Sequence, residues 1–214
     1  QSPDLAVTSH DNGQYVRGFI DLEGTFADDF QNVTVRLSLD GGSNWIPASV
    51  DATAKSWSVQ HLDTTGPGDG PRDIIARVTD GSGKTIEKRI LLYFDNTPPI
   101  VLVKVPLGYV YPPNEYNGTV AIRGDAVDRF PIERIAMEIR NASDTVLVSV
   151  PSVTGTNSWS YNFPSVGLVG GIENCKVLVT AYDMAGNASS AYYHTADVTA
   201  LNGIKCECDA AAIM

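Results

Sequence analysis

The second half of this chain repeats the landmarks of the first at an offset of about 100 residues, which restricts the architecture to two similar modules in succession. Gly24 and Trp57 are matched by Gly124 and Trp159, and Asp80 by Asp183. In each copy a glycine follows that aspartate three residues later, at Gly83 and Gly186. Between the copies stands Asp95-Asn96-Thr97-Pro98-Pro99. Proline has no backbone donor and pushes its predecessor toward extended geometry, so a strand arriving at Phe94 ends there and Ile100 opens a new unit. The expected division is residues 1–97, residues 98–199, and a tail, 200–214, that matches neither copy.

Period-two alternation runs through both copies and predicts an all-β chain. Val33, Val35, Leu37 and Leu39 alternate with Thr34, Arg36 and Ser38; Asp40-Gly41-Gly42 then supplies a tight turn, and Trp45-Ile46 starts the return. Val16 to Glu23 reads as one strand with Val16, Gly18, Ile20 and Leu22 on a face. Ile74, Ala76 and Val78 point inward, Asp80 to Gly83 turns the chain, and Thr85 to Phe94 closes the copy, with Ile86, Ile90, Leu92 and Phe94 sharing a face. The stretch from Thr64 to Pro71, dense in Gly and Pro, reads as irregular. In the second copy Ile135, Met137 and Ile139 take the places of Val35, Leu37 and Leu39, and Val177, Val179 and Ala181 those of Ile74, Ala76 and Val78. About seven short strands per copy, with turn signals every 8 to 12 residues or so, predict two β-sandwiches built on Trp57 and Trp159.

Composition narrows the partners. The net charge of −10 is spread over both copies, with 8 Lys+Arg against 14 Asp+Glu through Thr97 and 7 against 11 beyond it. Such a balance repels phosphate backbones and anionic lipid, so neither nucleic acid nor a membrane surface is an expected partner. No apolar run reaches the roughly 18 residues of a membrane span, so no membrane insertion is expected, and any export signal would lie outside this sequence.

The Gly-containing strand, Ser38-Leu39-Asp40-Gly41-Gly42 with Trp45, the Trp-Ser pairs, Tyr182-Asp183-Met184-Ala185-Gly186-Asn187 and Asp95-Asn96-Thr97-Pro98-Pro99 together resemble bacterial immunoglobulin-like repeats. The resemblance covers Leu5 to Val198 and implies two tandem immunoglobulin-like, fibronectin III-like sandwiches in an elongated, monomeric segment of a longer chain, outside the cell or on its surface. It implies no catalytic role. Two functions follow from it: a structural or adhesive spacer, or an accessory module that binds a protein or polysaccharide for a secreted carbohydrate-active enzyme. The first copy departs from the pattern at Gly81-Ser82-Gly83-Lys84.

Several residues have the chemistry of sites. Asp183 and its turn read as a capped corner, with the carboxylate accepting backbone N–H bonds and Gly186 in the left-handed region. The competing reading is Ca²⁺ at the domain junction, held by Asp95, Asp125, Asp128 and Asp183 converging from separate loops, since no contiguous calcium loop is present. Arg123-Gly124-Asp125 spells an integrin-type tripeptide, but its register against Glu23-Gly24-Thr25 predicts a strand end, not a loop tip. Asn-x-Ser/Thr triplets start at Asn32, Asn117, Asn141 and Asn187 and would be silent in a bacterial protein. His10, His61 and His194 have no recognisable catalytic neighbours in sequence. Cys175 has inward parity; for Cys206 and Cys208, a metal pair, a bridge to Cys175 and an intermolecular bridge all remain open. Tyr109, Tyr111, Tyr116, Tyr161, Tyr192 and Tyr193 concentrate in the second copy, and Tyr109 to Pro113 is the expected ligand-contacting surface, with Tyr111 as its central ring.

Overall fold

A computed structural model describes residues 3–28, 32–104, 119–141, 143–164 and 176–194. Its contacts divide the chain into two compact units, Gln1–Thr97 and Pro98–Met214. No helix occurs among the described residues, and every regular element is a strand.

In the first unit, β1 (Asp4–Val7), β3 (Phe19–Ala27), β7 (Ser56–Asp63) and β6 (Ser49–Asp51) form one sheet in the order β1-β3-β7-β6. The facing sheet has the order β2-β9-β8-β4-β5, from β2 (Gln14–Val16), β9 (Thr85–Phe94), β8 (Gly70–Thr79), β4 (Thr34–Ser38) and β5 (Ile46–Pro47). Alternation fills the space between them. Leu22, Leu37, Trp57, Ile74, Leu92 and Phe94 are buried, each from an inward position of its strand. The second unit repeats the plan with β10 (Ile100–Lys104), β11 (Thr119–Val127) and β14 (Ser158–Pro164) on one side. On the other, β12 (Ile132–Arg140), β13 (Val146–Val150), β15 (Lys176–Asp183) and β16 (Ala188–His194) run in the order β13-β12-β15-β16. Equivalent residues meet in equivalent registers: Val35 pairs with Val78 and Leu37 with Ala76, as Ile135 does with Ala181 and Met137 with Val179.

Three sequence expectations change. Val16 to Glu23 is not one strand. Gly18 takes φ 64°, and the chain crosses there from the β2 sheet, where β2 runs parallel to β9, to the β3 sheet. Phe19 consequently lies 68% exposed while Ile20 and Leu22 are buried. Second, Gly70 and Pro71 belong to β8, paired with Phe94 and Tyr93, so the irregular stretch is shorter than its composition implied. Third, Ile86 is exposed near the turn end of β9, whereas Ile75, of outward parity, is buried. Ile75 lies on the outer face beside the Asp40 turn, its Cδ1 3.9 Å from where a Cβ on Gly42 would stand; nearby Trp45, its Nε1–H donating to Gly42 O at 2.9 Å, stacks on Arg77, the guanidinium 3.8 Å from its ring centroid.

The Asp40 turn is fastened by its own carboxylate. It accepts N–H bonds from Ser43 at 3.0 Å and Asn44 at 2.9 Å, the Asn44 amide at 2.6 Å and the Ser38 hydroxyl at 2.8 Å. The Asn44 backbone bond, then the Asn44 and Ser38 side chains, hold its pKa at about 2, below the ordinary carboxylate value of 3.8. A folded-state value below the unfolded one means that this carboxylate stabilises the module above about pH 4 and stops doing so as pH falls through about 2. Asp40→Asn should therefore flatten the acid limb of the first unit's stability between those values and leave the second unit's limb unchanged, as read by thermal melts across pH.

Candidate functional site

The position that the duplication marks most clearly is a cross-strand pair. Gly24 in β3 stands opposite Trp57 in β7, and Gly124 in β11 stands opposite Trp159 in β14. Each indole, 2% exposed, occupies the space a side chain on the glycine would need. A Cβ on Gly24 would sit 2.5 Å from Trp57 Cζ2 and closer still to Ala6 O; one on Gly124 would sit 2.5 Å from Trp159 Cε2 and closer still to Leu102 O. The tryptophan and the glycine thus form one packing unit, used twice. They differ in one bond: Trp57 Nε1–H donates to Ala6 O at 3.2 Å, while Trp159 Nε1 has no acceptor.

This geometry settles where the Arg-Gly-Asp triplet lies. It is inside β11, between β10 and β14, rather than at the strand end expected from its register. Gly124 is buried there to admit Trp159. Asp125 is ion-paired with Lys104 and accepts the Ser158 hydroxyl at 3.2 Å; chiefly through Lys104 its carboxyl is held below the ordinary range. Only Arg123 is exposed, so the triplet is not displayed as a loop.

The two aspartate turns match. Asp183 Oδ1 accepts the Asn187 N–H at 2.8 Å, Gly186 N–H donates to Asp183 O at 3.1 Å, and Gly186 has φ 83°. Asp80 Oδ1 likewise accepts the N–H groups of Ser82 at 2.8 Å and Lys84 at 2.9 Å, with Gly83 at φ 86°. Burial works against the charged Asp80, but the Ser82 and Lys84 bonds outweigh it and hold its carboxyl below the ordinary range. The second oxygen separates the copies. Asp183 Oδ2 accepts the Asn187 amide at 2.8 Å, whereas Asp80 Oδ2 is buried without a partner because Lys84 occupies the position of Asn187. Lys84→Asn should supply the missing donor and raise the first unit's melting temperature by about 4–8 °C, measured by calorimetry.

The four carboxylates considered for calcium have other roles or surroundings. In the second unit Asp125 is engaged by Lys104, Asp128 Oδ1 accepts the Phe130 N–H at 2.8 Å, and Asp183 holds Asn187. Asp95, in the first unit, is buried. Among the described residues no three His, Cys, Asp or Glu side chains gather in a group able to hold a metal ion. Of the histidines, His61 sits at a bulge in β7 with φ 55°, its N–H donating to Asp21 Oδ1 at 2.7 Å. His10 has a neighbour that the sequence reading missed: its Nδ1 is 2.9 Å from Ser9 Oγ. Ser9 Oγ accepts the Glu23 N–H at 3.0 Å, and the pKa of His10 is lowered by burial and partly restored by Asp11. The hydroxyl thereby extends the pairing beyond β1, accepting where a backbone carbonyl would.

Asn187 is buried and Asn141 Oδ1 accepts the N–H groups of Ser143 at 3.0 Å and Thr145 at 2.9 Å; Asn32 is exposed. Tyr109, Tyr111, Tyr116 and Asn117, the three cysteines and the tail 200–214 lie outside the described residues, as do the side chains of Tyr192, Tyr193 and His194. Tyr161 is half-buried against the second core. Among the described residues an aromatic pair stands instead in the first unit, where Tyr15 and Tyr93 stack at 4.8 Å across the parallel strands.

A concavity of about 390 Å³ lies on the outer face of the β1-β3-β7-β6 sheet. Thr8, Glu23, Thr25, Ser49, Asp51, Ser56 and Ser58 present side chains there, none of them cationic.

No family model matches the chain, and no curated protein does either. Among solved structures it is similar to the fibronectin(III)-like modules of CbhA from Clostridium thermocellum, at 18% identity over 89% of this chain and 92% of that one, with a TM-score of 0.49. It is also similar to a tetra-tandem repeat in the extending region of a large adhesion protein, at 23% identity over 90% of this chain and 48% of that one, TM-score 0.38. A third likeness, TM-score 0.46, is to a 1.5-MDa bacterial ice-binding adhesin, at 18% identity over 90% and 62%. The chain therefore spans about half of the second structure and less than two thirds of the third. The all-β sandwich assignment itself stands on the registers and cores described above.

Proposed function

We propose that the chain is a non-catalytic spacer with an adhesive setting, two rigid links in a longer bacterial protein that works outside the cell. The observation that carries this reading is the repeated glycine–tryptophan unit: each module closes its own core around its own copy, in Gly24–Trp57 and Gly124–Trp159. Modules that are complete in themselves can be strung in any number, which is what a spacer requires. The acidic surface suits a chain that must stay soluble and unattached along its length.

The reading is tested by placing the 214 residues between a cell-wall anchor and a binding head of known target. A spacer leaves the head's capture of its target intact when the pair is exchanged for two unrelated sandwiches, and loses capture when the pair is deleted. Turnover of a substrate by the chain alone, or loss of capture on the exchange, would contradict it.

A further inference from the structure

A polar outer sheet face is ordinarily no more than a solvated surface. The one on the first module differs from its own duplicate in a way that points to a ligand. Register places its outward side chains in two rows across the sheet. Thr8 follows β1 beside Glu23, its N–H donating to Glu23 O at 2.9 Å, and Glu23 pairs with Ser58 and Ser58 with Ser49. The second row is Ala6, Thr25, Ser56 and Asp51. Strand spacing sets these side chains about 4.8 Å apart across the sheet and about 6.8 Å apart along it, the scale of a single pyranose ring. The floor is short, being alanine and hydroxyl residues, and the carboxylates Glu23 and Asp51 stand two strands apart, one in each row.

The second module uses the same lattice differently. Lys104 and Arg123 occupy the places of Thr8 and Glu23, and Lys104 lays its ammonium on Asp125. That face supplies its own cations. In the first module, among the described residues, neither Glu23 nor Asp51 is ion-paired, and the hydroxyls of Thr25, Ser49, Ser56 and Ser58 make no hydrogen bond. Asp51 uses Oδ1 to cap its turn, accepting Thr53 N–H at 2.8 Å and Ala54 N–H at 2.9 Å. Where the second module has a lysine side chain, the first has a shallow space of about 390 Å³.

We propose that this concavity binds an amino-sugar unit of a cationic polysaccharide, with Glu23 and Asp51 accepting from the sugar's ammonium and hydroxyl groups and the serine and threonine floor bonding to its remaining hydroxyls. Carboxylates accept hydrogen bonds and cannot donate them, so the ligand must bring donors, and a charged one fits best where two carboxylates lack an ion-pair partner. Hydroxyls both donate and accept, which favours a hydroxylated ligand over a plain alkylammonium. The site adds a ligand to the proposed spacer and does not depend on that role.

The test is calorimetric titration of the whole chain with three probes: a fully deacetylated glucosamine oligomer, its N-acetylated counterpart of equal length, and a lysine oligopeptide. Expected is saturable binding of the deacetylated oligomer that weakens with added salt, with no binding of the acetylated one. Glu23→Gln with Asp51→Asn should lower that affinity about tenfold or more. Ser56→Ala with Ser58→Ala, which leaves every charge in place, should weaken it by a smaller factor and provides an independent readout if the first variant alters the Asp51 turn. The proposal is overturned if no probe saturates, if the acetylated oligomer or the lysine peptide binds as tightly, or if both double variants bind like the parent. None of these outcomes bears on the anchor-and-head experiment.

Discussion

Gly124→Ala should unfold the second module and leave the first melting as before. The added methyl has nowhere to go. It would meet the Leu102 carbonyl oxygen, which is fixed in the β10–β11 ladder, and the Trp159 ring, which is fixed by the core. A flexible side chain could swing aside, but a backbone carbonyl in a sheet cannot move without breaking its register. Overpacking ordinarily costs about 1–3 kcal/mol, and a backbone clash belongs at or beyond the upper end, against a total stability of roughly 5–15 kcal/mol for a domain. Calorimetry of the full chain should show two transitions in the parent and one near the first module's temperature in the variant. An unshifted second transition would show that β10 and β11 can separate freely and that the glycine is not required.

Trp57→Ala is the second large effect. It empties the largest fully buried side chain of the first core and should cost about 3–5 kcal/mol, lowering the urea midpoint of that module while the second is unaffected. Replacing tryptophan by phenylalanine separates volume from hydrogen bonding. Trp57→Phe removes the donor to Ala6 O, whereas Trp159→Phe removes a donor that has no acceptor. The first should therefore cost about 1 kcal/mol more than the second, since an unmade hydrogen bond is lost in one case only. Equal costs in the two modules would show that the Trp57 bond contributes nothing net.

The duplication was legible because a glycine and a tryptophan some 33 to 35 positions apart recur at near-constant spacing. Their contact was not, since nothing in a linear pattern says that β3 lies beside β7. Alternation found the inward faces of β4, β8 and β12, whose buried apolar residues line the two cores. It failed where a local event overrides the period. Gly18 moves the chain to another sheet in mid-run, and Ile75 is buried at an outward position beside the Asp40 turn, a segment well away in sequence. Asp183 and its turn were readable from five consecutive residues because the whole hydrogen-bond set is local. The concavity on the first module was invisible for the opposite reason: its lining comes from four separate strands or their ends, and each residue alone looks like ordinary solvated surface.

The bonds around Asn96 bear on how the molecule can be dissected. Its Oδ1 accepts Gly18 N–H at 2.7 Å, its Nδ2 donates to Thr64 O at 3.1 Å, its N–H donates to Asp69 Oδ1 at 2.8 Å, and the Thr97 hydroxyl also bonds Asp69. Half of what reads as a tether is thus sewn into the domain before it. A fragment trimmed to Asp95 would expose the seam at Gly18, where the polypeptide changes sheets, and fray from its far end; one that keeps Thr97 retains every stitch.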